Sequence, residues 1–77
     1  MITVVHNQVQ DAIEVHLDER GAGLLIARLK ELLAGGDHAH VYLTEDDAGL
    51  SSKAPYGEGQ VYREIIINLL PAEAWTE

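Results

Sequence analysis

Cysteine is absent from the 77-residue sequence, and its absence excludes three classes of site. Without thiols the chain cannot form a disulfide framework, a thiolate zinc site or a cysteine nucleophile. Long apolar runs are also missing, since none approaches the roughly 20 residues that a membrane-spanning helix needs. Residues 1–6 carry neither the basic nor the long apolar segment of a signal peptide. We therefore expect a soluble cytoplasmic protein with no membrane partner.

Basic side chains are scarce in this sequence. Five Lys and Arg stand against thirteen Asp and Glu, which gives a formal net charge of −8. Such a surface repels the phosphate backbone of nucleic acids, so no nucleic-acid partner is expected. It attracts basic proteins, including proteins that themselves bind nucleic acid. Plain solubility is the alternative explanation of the same charge.

Sequence motifs of common catalytic sites are incomplete or missing. The Gly-Ala-Gly segment at 21–23 lacks the third glycine of a dinucleotide fingerprint and lies within a predicted helix. Ser51 and Ser52, the only serines, have no G-x-S-x-G context. The acidic triplet at 45–47 does not follow the spacing of a calcium loop. We therefore predict a protein that is not an enzyme, with no catalytic residue, cofactor or metal.

A single amphipathic helix is predicted over 18–34. Asp18 is its expected N-cap, and the two glycines at 35–36 are its expected stop. Leu24 falls among charges on the polar side, where we expect it to be exposed. The core-facing stripe, at helical spacing, comprises Ala22, Leu25, Ile26, Leu29, Leu32 and Leu33.

Four strands complete the predicted fold, and alternation of apolar and polar residues places them at 2–6, 13–18, 38–43 and 61–70. In the second strand, Ile13, Val15 and Leu17 are expected on the buried face. The last strand is apolar on both faces and is expected to be central. With the handedness of connections, this predicts an α+β fold of ββαββ order. It has a four-stranded antiparallel sheet, order 1-2-4-3, with the helix on one face. Residues 1–70 form the single domain and 71–77 a C-terminal tail.

Candidate partner-binding residues lie on the open sheet face and in a long connection. Polar side chains at alternate positions of 38–42 point the same way. The connection 44–59 is longer than compact domains usually contain without a functional reason, although a solvated loop is the alternative. Its carboxylates would steer a basic partner, and tyrosine would supply contact area. The predicted binding residues are His38, His40, Tyr42, Glu45, Asp46, Asp47 and Tyr56.

Two other functions fit the open sheet face. A small metal-binding domain would use the His-x-His pair at 38–40, with His16 and Glu64 as further ligands. A self-associating structural module would instead pack two open faces into a homodimer. The apolar residues available to that homodimer are Tyr62, Ile66 and Trp75.

Several short motifs resemble one known family. They are Ile13-Glu14-Val15-His16, the helix run from Gly23-Leu24-Leu25 to Leu32-Leu33, the segment Gly35-Gly36-Asp37-His38-Ala39-His40-Val41-Tyr42-Leu43, then Gly49-Leu50-Ser51 and Gly59-Gln60-Val61. Over roughly residues 12–70 they resemble the immunity protein 32 family. The resemblance implies a small α+β antidote of bacterial polymorphic toxin systems, which binds a cognate toxin in the producing cell. We therefore expect an immunity protein that neutralises a basic toxin, for example a nuclease, by covering its active surface.

Overall fold

A computed structural model describes residues 1–53 and 59–75 of the chain. The described elements are β1 (Ile2–Asn7), β2 (Ala12–Leu17), α1 (Glu19–Leu33), β3 (His38–Tyr42), β4 (Gln60–Val61), β5 (Glu64–Asn68) and a short 3-10 helix (Ala72–Trp75). The small α+β class, with one α-helix and antiparallel sheets among the described residues, is confirmed. Neither described helix is long and apolar enough to cross a membrane.

Helix α1 begins and ends where the sequence predicts. The Asp18 side chain accepts a hydrogen bond from the Gly21 amide at 2.8 Å, which caps the first turn. Ala34 is the C-cap, and Gly35 follows with a φ of +132°, a backbone conformation that favours glycine. Local capping chemistry therefore fixes both ends of the helix.

The strands form two sheets, so the predicted single sheet of order 1-2-4-3 is wrong. One sheet has the order β2-β1-β4, and the other pairs β3 with β5. The predicted last strand, 61–70, is divided between them. The Tyr62 amide donates to the Val4 carbonyl at 2.8 Å, whereas the carbonyl of the next residue, Arg63, accepts from the Leu43 amide at 2.9 Å. The strand is therefore not central, because its two parts pair with different neighbours.

Leu50 explains this division. Its amide donates to the Tyr42 carbonyl at 2.7 Å, and the next amide, that of Ser51, donates to the Ile2 carbonyl at 2.7 Å. The segment thus makes parallel bridges to the ends of both β1 and β3. Leu50 thus links Ile2 of β1 with Leu43, the residue that follows β3. Leu50 itself is fully buried.

The hydrophobic core is small and lies where the two sheets meet under α1. Its buried members are Ile2, Val4, Val41 and Leu50, with Leu24, Leu25, Leu43, Tyr62 and Ile65 packed against them. Because the core is centred on β1 and β3, the outer strand β2 is left at its margin. The prediction that Ile13, Val15 and Leu17 are buried is therefore wrong, since all three are exposed.

Helix α1 meets the core with a face rotated by roughly a quarter turn from the predicted stripe. Leu24 packs against the core and Ile26, Leu29 and Leu33 are exposed, which corrects both expectations. Gly21 accounts for the rotation. A Cβ at this position would lie 2.2 Å from the Met1 carbonyl oxygen, so only the glycine side of the helix can approach β1 this closely.

Candidate functional site

Strand β3 presents its polar residues on one exposed face. Val41 is buried and Ala39 half-buried, while His38 and Tyr42 are exposed and His40 is half-buried between them. This pattern follows from the period of a strand, in which alternate side chains share a face. Antiparallel pairing with β5 adds Glu64, Ile66 and Asn68 to the same face. We call the set His38, His40, Tyr42, Glu64 and Ile66 the β3–β5 ladder.

The aromatic rings of the β3–β5 ladder are in contact along the strand. The His40 and Tyr42 rings are stacked, with centroids 5.5 Å apart and planes inclined by 3°. The His38 ring meets the His40 ring edge to face at 5.1 Å. Such contacts fix ring orientations at little cost in side-chain freedom, so they pre-organise a surface before a partner arrives.

Carboxylates hold both histidines at their Nδ1 atoms. His40 Nδ1 lies 2.9 Å from Glu64 Oε2, and His38 Nδ1 lies 2.7 Å from Asp37 Oδ1. An ionised carboxylate can only accept a hydrogen bond, so each Nδ1 is the donor and each Nε2 is turned to other partners. The hydrogen bond and charge of His38 hold the pKa of Asp37 below its usual value.

The acidic triplet lies beside the Tyr42 end of the β3–β5 ladder, because Leu50 hydrogen-bonds to the end of β3. Asp46 organises this turn. Its Oδ1 accepts from the Thr44 hydroxyl at 2.7 Å and from the Ala48 amide at 2.9 Å. These two hydrogen bonds hold the pKa of the Asp46 carboxyl below its usual value. The residue therefore carries charge and shapes the turn at once.

The two other carboxylates of the triplet also make contacts within the chain. Glu45 Oε1 accepts from the Ser52 amide at 3.0 Å. The Asp47 oxygens are shared between the Met1 amino group at 3.3 Å and the Arg20 guanidinium at 3.1 Å. Part of the Asp47 charge is thus compensated by neighbouring cations. Tyr56, the remaining predicted binding residue, lies outside the described residues.

The histidines do not converge on a metal site. In the part of the chain that the structure describes, no three His, Cys, Asp or Glu side chains are grouped as metal ligands would be. His16 pairs with Thr3 in the sheet of β1 and β2, whereas His38 and His40 lie on β3. A depression of about 240 Å³ next to His16 is lined by residues of the β1–β2 sheet, of the turn before α1 and of 51–53. The metal-binding alternative therefore gains no support.

Comparisons with known proteins give no match: no family model matches the chain, and no curated protein or solved structure does. The site is therefore described by its geometry. It places the acidic turn, residues 45–47, next to the Tyr42 end of β3.

Two members of the β3–β5 ladder are missing from the predicted binding residues. Glu64 supplies the carboxylate on His40, and Ile66, directly opposite His40 in the register, supplies an exposed apolar side chain. The strand period places both on the open face, but their proximity to His40 depends on the register of β5. That register follows from the division of the last strand, and the alternation of apolar and polar residues does not indicate where the strand divides.

Proposed function

We propose that this chain is a non-enzymatic binding protein whose β3–β5 ladder and acidic turn contact a basic protein partner. The stacked pair His40 and Tyr42 carries the proposal. Tyrosine is enriched among the residues that dominate binding energy, and here more than half of its surface is available. Ile66 beside the pair adds an apolar contact within a polar margin, the arrangement typical of protein interfaces.

The charge of the chain supports a basic partner. The net charge of −8 attracts cationic surfaces over distances of about a Debye length, which is roughly 8 Å at physiological ionic strength. The acidic turn concentrates this charge beside Tyr42. Steering by the turn and anchoring by the ladder are separate contributions, because the first acts on the association rate and the second on dissociation.

The motif resemblance described above supports a toxin as the partner. On this proposal the chain is an immunity protein, which covers the active surface of a cognate toxin inside the producing cell. A nuclease toxin fits best, because a protein that binds phosphates is basic and complements this acidic chain. No catalytic role is proposed, since the His40 and Glu64 side chains pair on the open face of the β3–β5 ladder and the sequence contains no complete catalytic motif.

On this proposal a toxin domain is encoded beside the gene of this chain, and the test is co-expression with that domain. The wild type should rescue growth and bind the purified toxin domain in calorimetry. The double variant Tyr42→Ala/Ile66→Ala should lose rescue, while the matched control Val9→Ala, on the exposed turn between β1 and β2, should keep it. Rescue by the double variant would show that the ladder is not the contact surface. Absence of binding by the wild type would rule out the immunity function.

A further inference from the structure

Strand β2 is the outer strand of its sheet, and its outer edge has no strand partner among the described residues. The hydrogen bonding of the β1–β2 pair determines which backbone groups lie on that edge. The Asp18 amide donates to the Met1 carbonyl at 3.1 Å. Since hydrogen-bonded pairs alternate along an antiparallel ladder, His16 and Glu14 bond to β1. The amides and carbonyls of 13, 15 and 17 therefore point outwards.

The same three residues also carry exposed apolar side chains. Ile13 is 64% exposed, Val15 49% and Leu17 45%, and all three lie on the sheet face that carries the core residues Ile2 and Val4. Strand β2, with the sequence AIEVHL, contains no Lys or Pro, and its register with β1 is continuous. Lys, Pro and a bulge, three of the devices that protect an edge strand from pairing, are thus missing along β2.

We propose that β2 pairs in antiparallel fashion with β2 of a second copy of this chain, around a two-fold axis at Val15. This register places Ile13 opposite Leu17 of the second copy. The outward-pointing amides and carbonyls of one β2 strand then hydrogen-bond to those of the other. It also places Glu14 opposite His16 of the second copy, once on each side of the axis. An acidic residue faces an imidazole in both pairs, which favours the pairing.

Charge selects this register over its neighbours. A slip of one residue would place inward-pointing backbone groups of one copy against outward-pointing groups of the other and reverse the side-chain faces. A slip of two residues in one direction places Glu14 opposite Glu14 of the second copy. A slip of two in the other direction places Glu14 opposite Asp18. Like charges directly opposite each other are unfavourable, so only the register centred on Val15 combines matched backbone groups with complementary side chains.

The proposed dimer joins two three-stranded sheets into one sheet of six strands. It brings the exposed apolar side chains of the two β2 strands side by side and leaves the β3–β5 ladder accessible, so it is independent of the proposed function. Each copy carries a net charge of −8, and this repulsion is screened by salt. Self-association should therefore strengthen as salt is added, whereas binding of a basic protein should weaken.

Single cysteines test the register directly, because the native chain contains none. In the proposed dimer the two copies of residue 15 face each other at about 5.5 Å between Cα atoms, within disulfide range. Under mild oxidation Val15→Cys should give a covalent dimer rapidly. The control Val9→Cys and the variants Glu14→Cys and His16→Cys should not. Faster cross-linking of Glu14→Cys or His16→Cys would overturn the proposed register. Faster cross-linking of Ile66→Cys, on the outer edge of β5, would show that the copies pair through β5 and not through β2.

Sedimentation of the unmodified chain over a range of concentrations tests the association itself. The wild type should form dimers that tighten with salt, and Val15→Lys should remain monomeric while Val9→Lys behaves as wild type. His16→Glu should weaken the dimer about tenfold, because a glutamate then faces Glu14 of the second copy on both sides of the axis. The swap Glu14→His/His16→Glu should restore the dimer, because each pair again joins a carboxylate with an imidazole. Circular dichroism confirms that each variant is folded. A wild type that stays monomeric, or a folded Val15→Lys that still dimerises, would refute the proposal.

Discussion

The ring of His40 lies parallel to the ring of Tyr42, with 3° between their planes, and the carboxylate of Glu64 contacts His40 at Nδ1. Three side chains from two strands thus form one ordered exposed surface. It is ordered by contacts within the folded chain, so a partner does not have to immobilise it.

Tyr42 should therefore matter more for binding than for folding. Its ring is exposed, so Tyr42→Ala should change the free energy of unfolding by about 1 kcal/mol or less. The same change should weaken binding of the proposed toxin partner by about thirtyfold, the effect of losing one central interface anchor. Urea titration and calorimetry of one preparation measure both. A large loss of stability with unchanged affinity would make the stack a structural feature only.

Two glycines of α1 should respond oppositely to alanine. A Cβ at Gly21 would collide with the Met1 carbonyl, whereas a Cβ at Gly23 meets nothing within 4 Å. Gly21→Ala should destabilise the chain by about 1–3 kcal/mol through overpacking. Gly23→Ala should stabilise it by about 0.5–1 kcal/mol, because alanine has the higher helix propensity. Equal effects of both substitutions on the urea midpoint would contradict the rotation of α1 described above.

The charge of Asp18 should make stability depend on pH in acid. The Met1 amino group, followed by the Gly21 amide, holds the pKa of Asp18 below its ordinary value of 3.8. A lowered pKa contributes stability that is present above pH 3.8 and is lost as the pH falls through the folded-state pKa. Asp18→Asn keeps the capping oxygen but removes the charge. Wild type should be the more stable near pH 6, and the difference should vanish in strong acid. A constant difference across thermal melts at several pH values would exclude this origin.

Leu50 should be the most sensitive position of the turn that follows β3. It is fully buried in the core and bridges the two sheets, so Leu50→Ala should cost about 2–5 kcal/mol. The matched truncation Val9→Ala, at an exposed site, should stay within about 0.5 kcal/mol of wild type. Chemical denaturation measures both, and a mild effect of Leu50→Ala would show that the sheets are held together elsewhere.

Local signals predicted α1 and the first three strands, but neither the division of the last strand nor the arrangement of the elements. Asp18 and Gly35 define the ends of α1 through capping, and alternation at 38–42 assigns the exposed face of β3, because both effects act over a few residues. The rotation of α1 depends on the close approach of Gly21 to the backbone of Met1, a contact between distant residues. The insertion of Leu50 between β1 and β3 is equally non-local. Periodicity carries no information about either contact.

The division of the last strand also constrains the order of synthesis and folding. The β1–β2 hairpin and α1 can form from neighbouring residues, but the three-stranded sheet needs β4 and the second sheet needs β5. On the ribosome, neither sheet is complete until the segment after Gly59 has emerged from the exit tunnel. A nascent chain that stops before this point exposes Val41 and Leu50 without their cover and is a substrate for chaperones or proteases. Completion of both sheets is thereby coupled to synthesis of the segment that carries β4 and β5.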